Sequence, residues 1–187
     1  MYCNLLLERG AGAEVARRGR LFFEWRLRDD SLLTVALDHL SLGRAYVSLD
    51  ELGSARGHLD DAVDGLRAAG ELHYLINGLL ARAAFRRAAG NLILARRDLA
   101  ETAKLVERSG FRLFAADCAL EQARIALAES ERQGADAANA QAKLAEARAA
   151  FRRVRTLIDE MGYGRRRPEL AKLARALGER EEPEAHA

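Results

Sequence analysis

The sequence predicts an all-α solenoid of stacked helical hairpins, and three observations favour this fold class. Apolar residues recur every three or four positions almost throughout, and the alternation typical of strands is absent. Only two prolines occur, Pro168 and Pro183, and both follow the long periodic region. A helical pattern also repeats along the chain, which is the signature of a repeat architecture.

The bulk composition excludes several classes of function. The 30 basic and 28 acidic residues give a net charge of +2, so no global charge attracts nucleic acid or an anionic membrane. No apolar run approaches the roughly 18 residues of a membrane span, and the N-terminus is too short and polar for a signal peptide. Cys3 and Cys118 form no metal-ligand spacing. We therefore expect free thiols, no metal, no cofactor, and a cytoplasmic location.

The repeat has a period of 40 residues. Segments 54–70 and 94–110 align without a gap, and 146–162 is a third copy displaced by a further 52 positions. The additional 12 residues fall within the Ala-rich tract 130–142, which we interpret as an inserted loop or a helix extension. Each copy ends on a glycine that fits a left-handed helix C-cap. These glycines are Gly70, Gly110 and Gly162.

The copies divide the chain into units of a first helix, a short turn and a second helix. The predicted boundaries are a partial repeat at 1–30, repeats at 31–70, 71–110 and 111–162, a capping helix at 165–178 and a disordered tail at 179–187. The partial repeat has too short a first helix, so we expect a fragment of a longer protein or a coding start within an array. The capping helix would cover the last apolar face of the solenoid.

One unit carries a recognisable signature: Leu42-Gly43-x-x-Tyr46, then Ala55, Leu59 and Ala62. This pattern resembles the tetratricopeptide repeat (TPR) family. The resemblance implies a right-handed superhelix in which Gly43 lets the first helix approach the second closely, offsetting the low helix propensity of glycine. The sequence departs from the family in its period, since the family repeats every ~34 residues. It also has His39 where the family has tryptophan.

Four segments resemble a narrower group, the C-terminal TPR region of large bacterial signalling NTPases of the NACHT or STAND type. They are 36–46, 79–91, 107–129 and 158–170. The resemblance implies a sensor or protein–protein interaction arm, with nucleotide hydrolysis in a separate domain. No G-x-x-x-x-G-K-[ST] loop occurs, so any ATPase domain would lie outside this chain.

In a solenoid of this kind the first helices line the concave face. The register places twelve residues there: Leu37, Leu40, Arg44, Val47, Asn77, Leu80, Ala84, Arg87, Asp117, Leu120, Arg124 and Leu127. Because arginine can grip a carboxylate bidentately, this strip predicts a peptide or protein partner with acidic groups. The alternative is that these arginines are solvated helix edges paired with local acids. Ser41 and Ala81 replace the asparagines of chaperone-binding TPR clamps, so we do not predict chaperone binding.

The second helix of the partial repeat carries an aromatic cluster, Phe22, Phe23 and Trp25. If the preceding helix is truncated, part of this cluster should be exposed and form an end interface for self-association.

A basic cluster lies near the C-terminus. It consists of Arg152, Arg153, Arg155, Arg165, Arg166 and Arg167, with Tyr163 nearby. Contact with a phosphate is one interpretation. We favour the other, in which cations stabilise helix C-termini and Pro168 opens a new helix.

Two adjacent pairs, Asp38-His39 and Asp117-Cys118, have residue types found in catalytic sites. Adjacent helical residues point about 100° apart, so neither pair can face one site together. We predict no catalytic residues, interhelical packing for His39 and a small buried side chain at Cys118. Two alternative functions remain, a freestanding TPR adaptor that assembles through its ends and an RNA-binding helical repeat. The near-neutral charge disfavours the latter.

Overall fold

The computed structural model describes residues 2–25, 30–132 and 136–179, and these residues form α-helices and one 3-10 turn without a strand. The α-helices are α1 (Tyr2–Glu8), α2 (Gly12–Trp25), α3 (Leu32–Ser48), α4 (Leu52–Ala69), α5 (Leu72–Ala88), α6 (Leu92–Ser109), α7 (Arg112–Ser130), α8 (Ala137–Met161) and α9 (Arg167–Leu177). The 3-10 turn spans Gly164–Arg166. The chain divides into two compact units, Met1–Leu105 and Val106–Ala187.

The helix boundaries of the first unit recur every 40 residues. Helices α2, α4 and α6 begin at Gly12, Leu52 and Leu92, and α3 and α5 begin at Leu32 and Leu72. A residue with left-handed backbone conformation follows each first helix, again at a spacing of 40 positions. These residues are Gly10 (φ 74°), Asp50 (φ 60°) and Gly90 (φ 74°). The period that the sequence predicts is therefore present in the backbone.

The helices pack sequentially as antiparallel hairpins, α1 with α2 and α3 with α4 in the first unit, and α7 with α8 in the second. Helix α3 also packs against both helices of the preceding hairpin, α1 and α2, and α5 does the same with α3 and α4. Within the second unit α9 packs against α7 and α8. The architecture is all-α and consistent with a helical repeat.

Gly43 lies where α3 crosses α4. A Cβ atom on this residue would lie 2.6 Å from Cγ of Leu59 and 3.3 Å from its backbone nitrogen. Leu59 is fully buried, so it has little room to move away. This contact confirms that the glycine permits a close approach between the two helices of the hairpin.

Each unit has its own apolar core. In the first unit Leu40, Tyr46 and Leu59 belong to a cluster that α2, α3 and α4 share. In the second unit Phe151 and Leu173 belong to a cluster that joins α7, α8 and α9. Burial of the helix faces along these hairpins supplies most of the stability, since isolated helices of this length are marginal in water.

The helix ends agree with the glycine pattern. Gly70, Gly110 and Gly162 have φ of 73°, 69° and 61°, which confirms the predicted left-handed caps. Of the Ala-rich tract, residues 137–142 extend the start of α8, and residues 133–135 lie outside the described residues. The predicted capping helix corresponds to α9, which has Pro168 in its first turn. Of the predicted tail, residues 180–187 also lie outside the described part.

No helix among the described residues is both long enough and apolar enough to cross a membrane.

Candidate protein-interaction surface

The first row of the predicted groove lies on α3. Leu40 is buried in the core, and Leu37 and Val47 are half-buried and pack against the same cluster. Arg44 is half-buried as well. The hydroxyl of Ser41 donates a hydrogen bond to the carbonyl oxygen of Leu37 at 2.9 Å, so it serves the helix. This row therefore offers the half-exposed edges of apolar side chains next to one guanidinium.

The second row lies on α5, which packs against α3 within the same unit. Asn77, Leu80, Ala84 and Arg87 are all half-buried. The amide nitrogen of Asn77 donates to the carbonyl oxygen of His73 at 3.0 Å, one turn earlier in the helix. In each row a leucine precedes an arginine by seven positions, Leu37 before Arg44 and Leu80 before Arg87, but the second pair lies 43 rather than 40 positions after the first, so the two arginines are offset by three residues within the repeat.

The third row lies on α7, in the second unit, where the chain's own C-terminal segment engages it. Asp117 is buried and accepts a hydrogen bond of 2.6 Å from Nε of Arg166. Leu120 is buried in the core that α9 helps to form, and Leu127 packs against that core. Nη1 of Arg124 lies 3.6 Å from a carboxylate oxygen of Glu121. Asp117 and Leu120 thus have intramolecular partners in this structure.

The Asp117–Arg166 ion pair is the polar anchor of the C-terminal segment. Burial raises the pKa of Asp117, and the nearby Arg166 acts against that rise. Burial lowers the pKa of Arg166, but the charge and hydrogen bond of Asp117, together with the charges of Tyr163 and Glu169, outweigh burial, and the net pKa is raised. A second hydrogen bond joins Nη1 of Arg166 to Glu169 at 2.8 Å, and the ring of Tyr163 lies 5.9 Å from the guanidinium carbon.

The far end of α9 is held by a residue of α8. Nη2 of Arg148 lies 3.4 Å from the carbonyl oxygen of Leu177, the last residue of α9. Nε of Arg148 lies 3.6 Å from a carboxylate oxygen of Glu179. Polar contacts therefore flank the apolar contacts of Leu173 and Leu177.

A buried charge network in the first unit was not predicted from the sequence. Arg82 of α5 binds Asp98 of α6 bidentately, with Nε and Nη2 at 3.0 and 2.9 Å from its two carboxylate oxygens. Arg86 contacts the same carboxylate at 2.6 Å, and Asp60 of α4 lies 3.1 Å from Nη1 of Arg82. The spacing of Arg82 and Arg86 by one helical turn was the available signal. The network ties α4, α5 and α6 together.

His39 is a packing residue, as the sequence predicts. Its ring lies between Phe23 of α2 and His58 of α4, with ring centroids 4.6 and 5.0 Å away. Nδ1 of His39 lies 3.0 Å from Nδ1 of His58. The pairing with His58 was not predicted, because the two residues are 19 positions apart.

The residues of the two adjacent pairs, Asp38-His39 and Asp117-Cys118, have environments dominated by burial. Cys118 is buried, and burial raises the pKa of its thiol to about 12. This environment favours the protonated thiol and confirms the prediction of a small buried side chain. Burial also raises the pKa of Asp38 to about 6, and a carboxylate oxygen of this residue is buried without a hydrogen-bond partner.

The aromatic cluster of α2 is divided between core and surface. Phe23 is half-buried against the core of the first unit, and Phe22 packs edge-to-face against Phe23 with centroids 5.8 Å apart. Trp25 is 80% exposed, and Leu21 on the same face of the helix is 43% exposed. An exposed aromatic surface is therefore present on α2, and its use as an interface stays a prediction.

The C-terminal arginines have several local contacts. Arg155 lies over the ring of Phe151 at 6.0 Å, and Nη2 of Arg167 lies 4.0 Å from a carboxylate oxygen of Asp159. Arg166 is held by Asp117. Pro168 opens α9 as predicted, but no basic residue lies in the last turn of α8, so the predicted stabilisation of that helix end by these arginines is wrong, and contact with a phosphate stays a prediction.

No protein-family model and no curated protein matches the sequence. Among the residues that the structure describes, no group of three or more His, Cys, Asp or Glu side chains is arranged to hold a metal ion.

Proposed function

We propose that this chain is a non-catalytic protein–protein interaction module, a right-handed TPR-like solenoid that binds a peptide or protein segment along its first helices. The observation that carries the proposal is the 40-residue recurrence of helix boundaries, with α3 and α5 each packed on both helices of the preceding hairpin. Nearest-neighbour stacking is typical of solenoids, which use an extended face of like helices for binding.

The proposed binding surface is formed by α3 and α5. On each helix a leucine precedes an arginine by seven residues, Leu37 with Arg44 and Leu80 with Arg87, and all four side chains are half-buried. Half-buried leucines provide apolar contact with low desolvation penalty. A guanidinium recognises a carboxylate through two parallel hydrogen bonds. The expected ligand is a segment with apolar residues and acidic groups.

We propose further that the module belongs to a larger bacterial signalling protein of the NACHT or STAND type, in which it acts as the sensor or scaffold arm. This step rests on the resemblance of four segments. The other candidate is a freestanding adaptor that assembles through its ends, and the 80% exposure of Trp25 favours it. The two candidates differ in the surface that they use, α3 and α5 in the first and α2 in the second.

The experiment is a pull-down from a lysate of the source bacterium with three baits, read by mass spectrometry. The baits are the wild-type chain, a variant with Arg44→Glu and Arg87→Glu, and a control with Arg56→Glu and Arg108→Glu. Both control residues are exposed and lie on second helices, α4 and α6. Circular dichroism verifies that all three baits are folded.

Capture by the wild type and the control, with loss in the Arg44/Arg87 variant, is the expected result. The captured segment is then synthesised, and its affinity for each of the three chains is measured by fluorescence anisotropy. The wild type and the control should bind it with similar affinity, and the Arg44/Arg87 variant should bind it more weakly. Equal capture by all three baits, or no capture, would overturn binding through α3 and α5. Loss confined to an additional fourth bait, Trp25→Ala, would instead support assembly through the ends.

A further inference from the structure

His39 and His58 form an imidazole pair where three helices meet. Their Nδ1 atoms are 3.0 Å apart, so they share a hydrogen bond. Phe23 reaches from α2 to His39, and Tyr46 of α3 stacks on His58 with ring centroids 5.7 Å apart. The pair therefore lies in the contact that holds α2 against the α3–α4 hairpin.

A hydrogen bond between two imidazole nitrogens depends on their protonation. One ring must donate an N–H and the other must accept with a bare nitrogen. A single added proton is compatible with this bond, because a protonated ring can still donate to a neutral partner. A second proton leaves two N–H donors and two positive charges facing each other at 3.0 Å, without an acceptor between them.

The groups around the pair determine how it responds to acid. Phe23 faces it from α2, Tyr46 faces it from α3, and Asp61 faces it from α4 with a carboxylate oxygen 3.7 Å from Nδ1 of His39. Asp61 stabilises the first added proton. Burial lowers the pKa of His58 from its ordinary value of 6.5, with Asp61 acting in the opposite direction. The folded chain therefore resists the second protonation more than the unfolded chain does.

We propose that the His39–His58 pair is an acid-sensitive clasp that holds the α1–α2 hairpin on the α3–α4 hairpin. Above the ordinary pKa of histidine the clasp is closed by the shared hydrogen bond. As the pH falls, protonation of both rings breaks the bond, Phe23 loses its packing partner, and α2 loosens from α3. The sign follows from linkage, since a group whose pKa is lowered by folding destabilises the fold on acidification. The clasp acts in the free chain and does not depend on the proposed peptide-binding function.

The first test uses the wild-type chain labelled with 15N at the imidazole nitrogens. A through-bond nitrogen–nitrogen coupling between the two Nδ1 atoms is expected near pH ~7.5 and should disappear near pH ~5, where histidine is protonated. Absence of this coupling near neutral pH would overturn the clasp.

The second test measures hydrogen exchange of the α2 amides at both pH values, corrected for the intrinsic rate. All chains carry Asp38→Asn, because Asp38 titrates in the same range. At the lower pH, protection of α2 should fall on the order of 10-fold in this background and equally in a control that adds His73→Phe. In the chain that adds His58→Phe, protection of α2 should stay the same at both pH values. His73 is an exposed histidine of α5. An equal fall in the His58→Phe chain, or no fall in the parent, would contradict the proposal.

Discussion

A Cβ atom on Gly43 would lie 2.6 Å from Cγ of Leu59, which is closer than packed carbon atoms approach. Gly43→Ala should therefore destabilise the chain by about 1–3 kcal/mol through overpacking, although alanine is the better helix former. Gly57→Ala is the matched control, because nothing lies within 4 Å of a Cβ at this position on α4. The control should gain up to about 1 kcal/mol. Urea unfolding measures both, and a stabilised Gly43→Ala chain would refute the close crossing.

Asp50 occupies the left-handed position that glycine takes in the neighbouring repeats, with φ of 60°. Asp50→Gly should stabilise the chain by about 0.5–1 kcal/mol, because glycine adopts this conformation without steric strain. Ala89→Gly is the control, since Ala89, the C-cap residue directly after α5, has φ of −77° and needs no such freedom. It should lose about 0.5–1 kcal/mol. Thermal unfolding of the wild type and both variants measures these changes. Equal shifts of the unfolding temperature in the two variants would argue against strain at Asp50.

Arg166 compensates the buried charge of Asp117 through a 2.6 Å hydrogen bond. Arg166→Leu should destabilise the second unit by about 3 kcal/mol, because it leaves a buried carboxylate without its cation. Adding Asp117→Leu should restore most of that loss, since the double variant buries no unpaired charge.

Arg167→Leu is the control for this pair, because Arg167 is exposed and its ion pair with Asp159 is 4.0 Å long. It should change stability by less than about 0.5 kcal/mol. Urea unfolding, with hydrogen exchange of α9, locates the effect. If the double variant were no more stable than Arg166→Leu alone, the pair would not be the anchor.

Asp38 has a carboxylate oxygen buried without a partner, and burial raises its pKa from 3.8 to about 6. The folded chain binds the proton more tightly than the unfolded chain, so this group lowers stability as the pH rises from 3.8 to about 6. Asp38→Asn should therefore stabilise the chain by about 1 kcal/mol at neutral pH, allowing for partial solvent screening. The gain should vanish below pH 3.8. A gain that is independent of pH would contradict this assignment.

Much of the architecture follows from local sequence features. Helical periodicity predicts the all-α class, and glycines such as Gly70 and Gly110 mark the helix ends, because left-handed caps depend on the residue itself. The close crossing at Gly43 follows from the TPR resemblance. These features are encoded within a few residues of where they act.

Long-range pairings could not be predicted in this way. His39 and His58 are 19 positions apart, and Asp117 and Arg166 are 49 positions apart. Whether two polar side chains meet across a helix crossing depends on the rotation and offset of the helices, which a repeat period does not specify. For the same reason the sequence does not indicate that Asp117, which it places in the predicted groove, has Arg166 as an intramolecular partner. The binding role of these residues stays a prediction.

We expect a partner to bind along α3 and α5 through Arg44 and Arg87. The most direct measurement is a 15N NMR titration of the wild-type chain with the acidic segment of the captured partner, following the Nε–H signals of the arginines. Saturable shifts of the Arg44 and Arg87 signals are expected, with the Arg56 and Arg108 signals unchanged. Shifts confined to Arg56 and Arg108, or to the indole of Trp25, would contradict it.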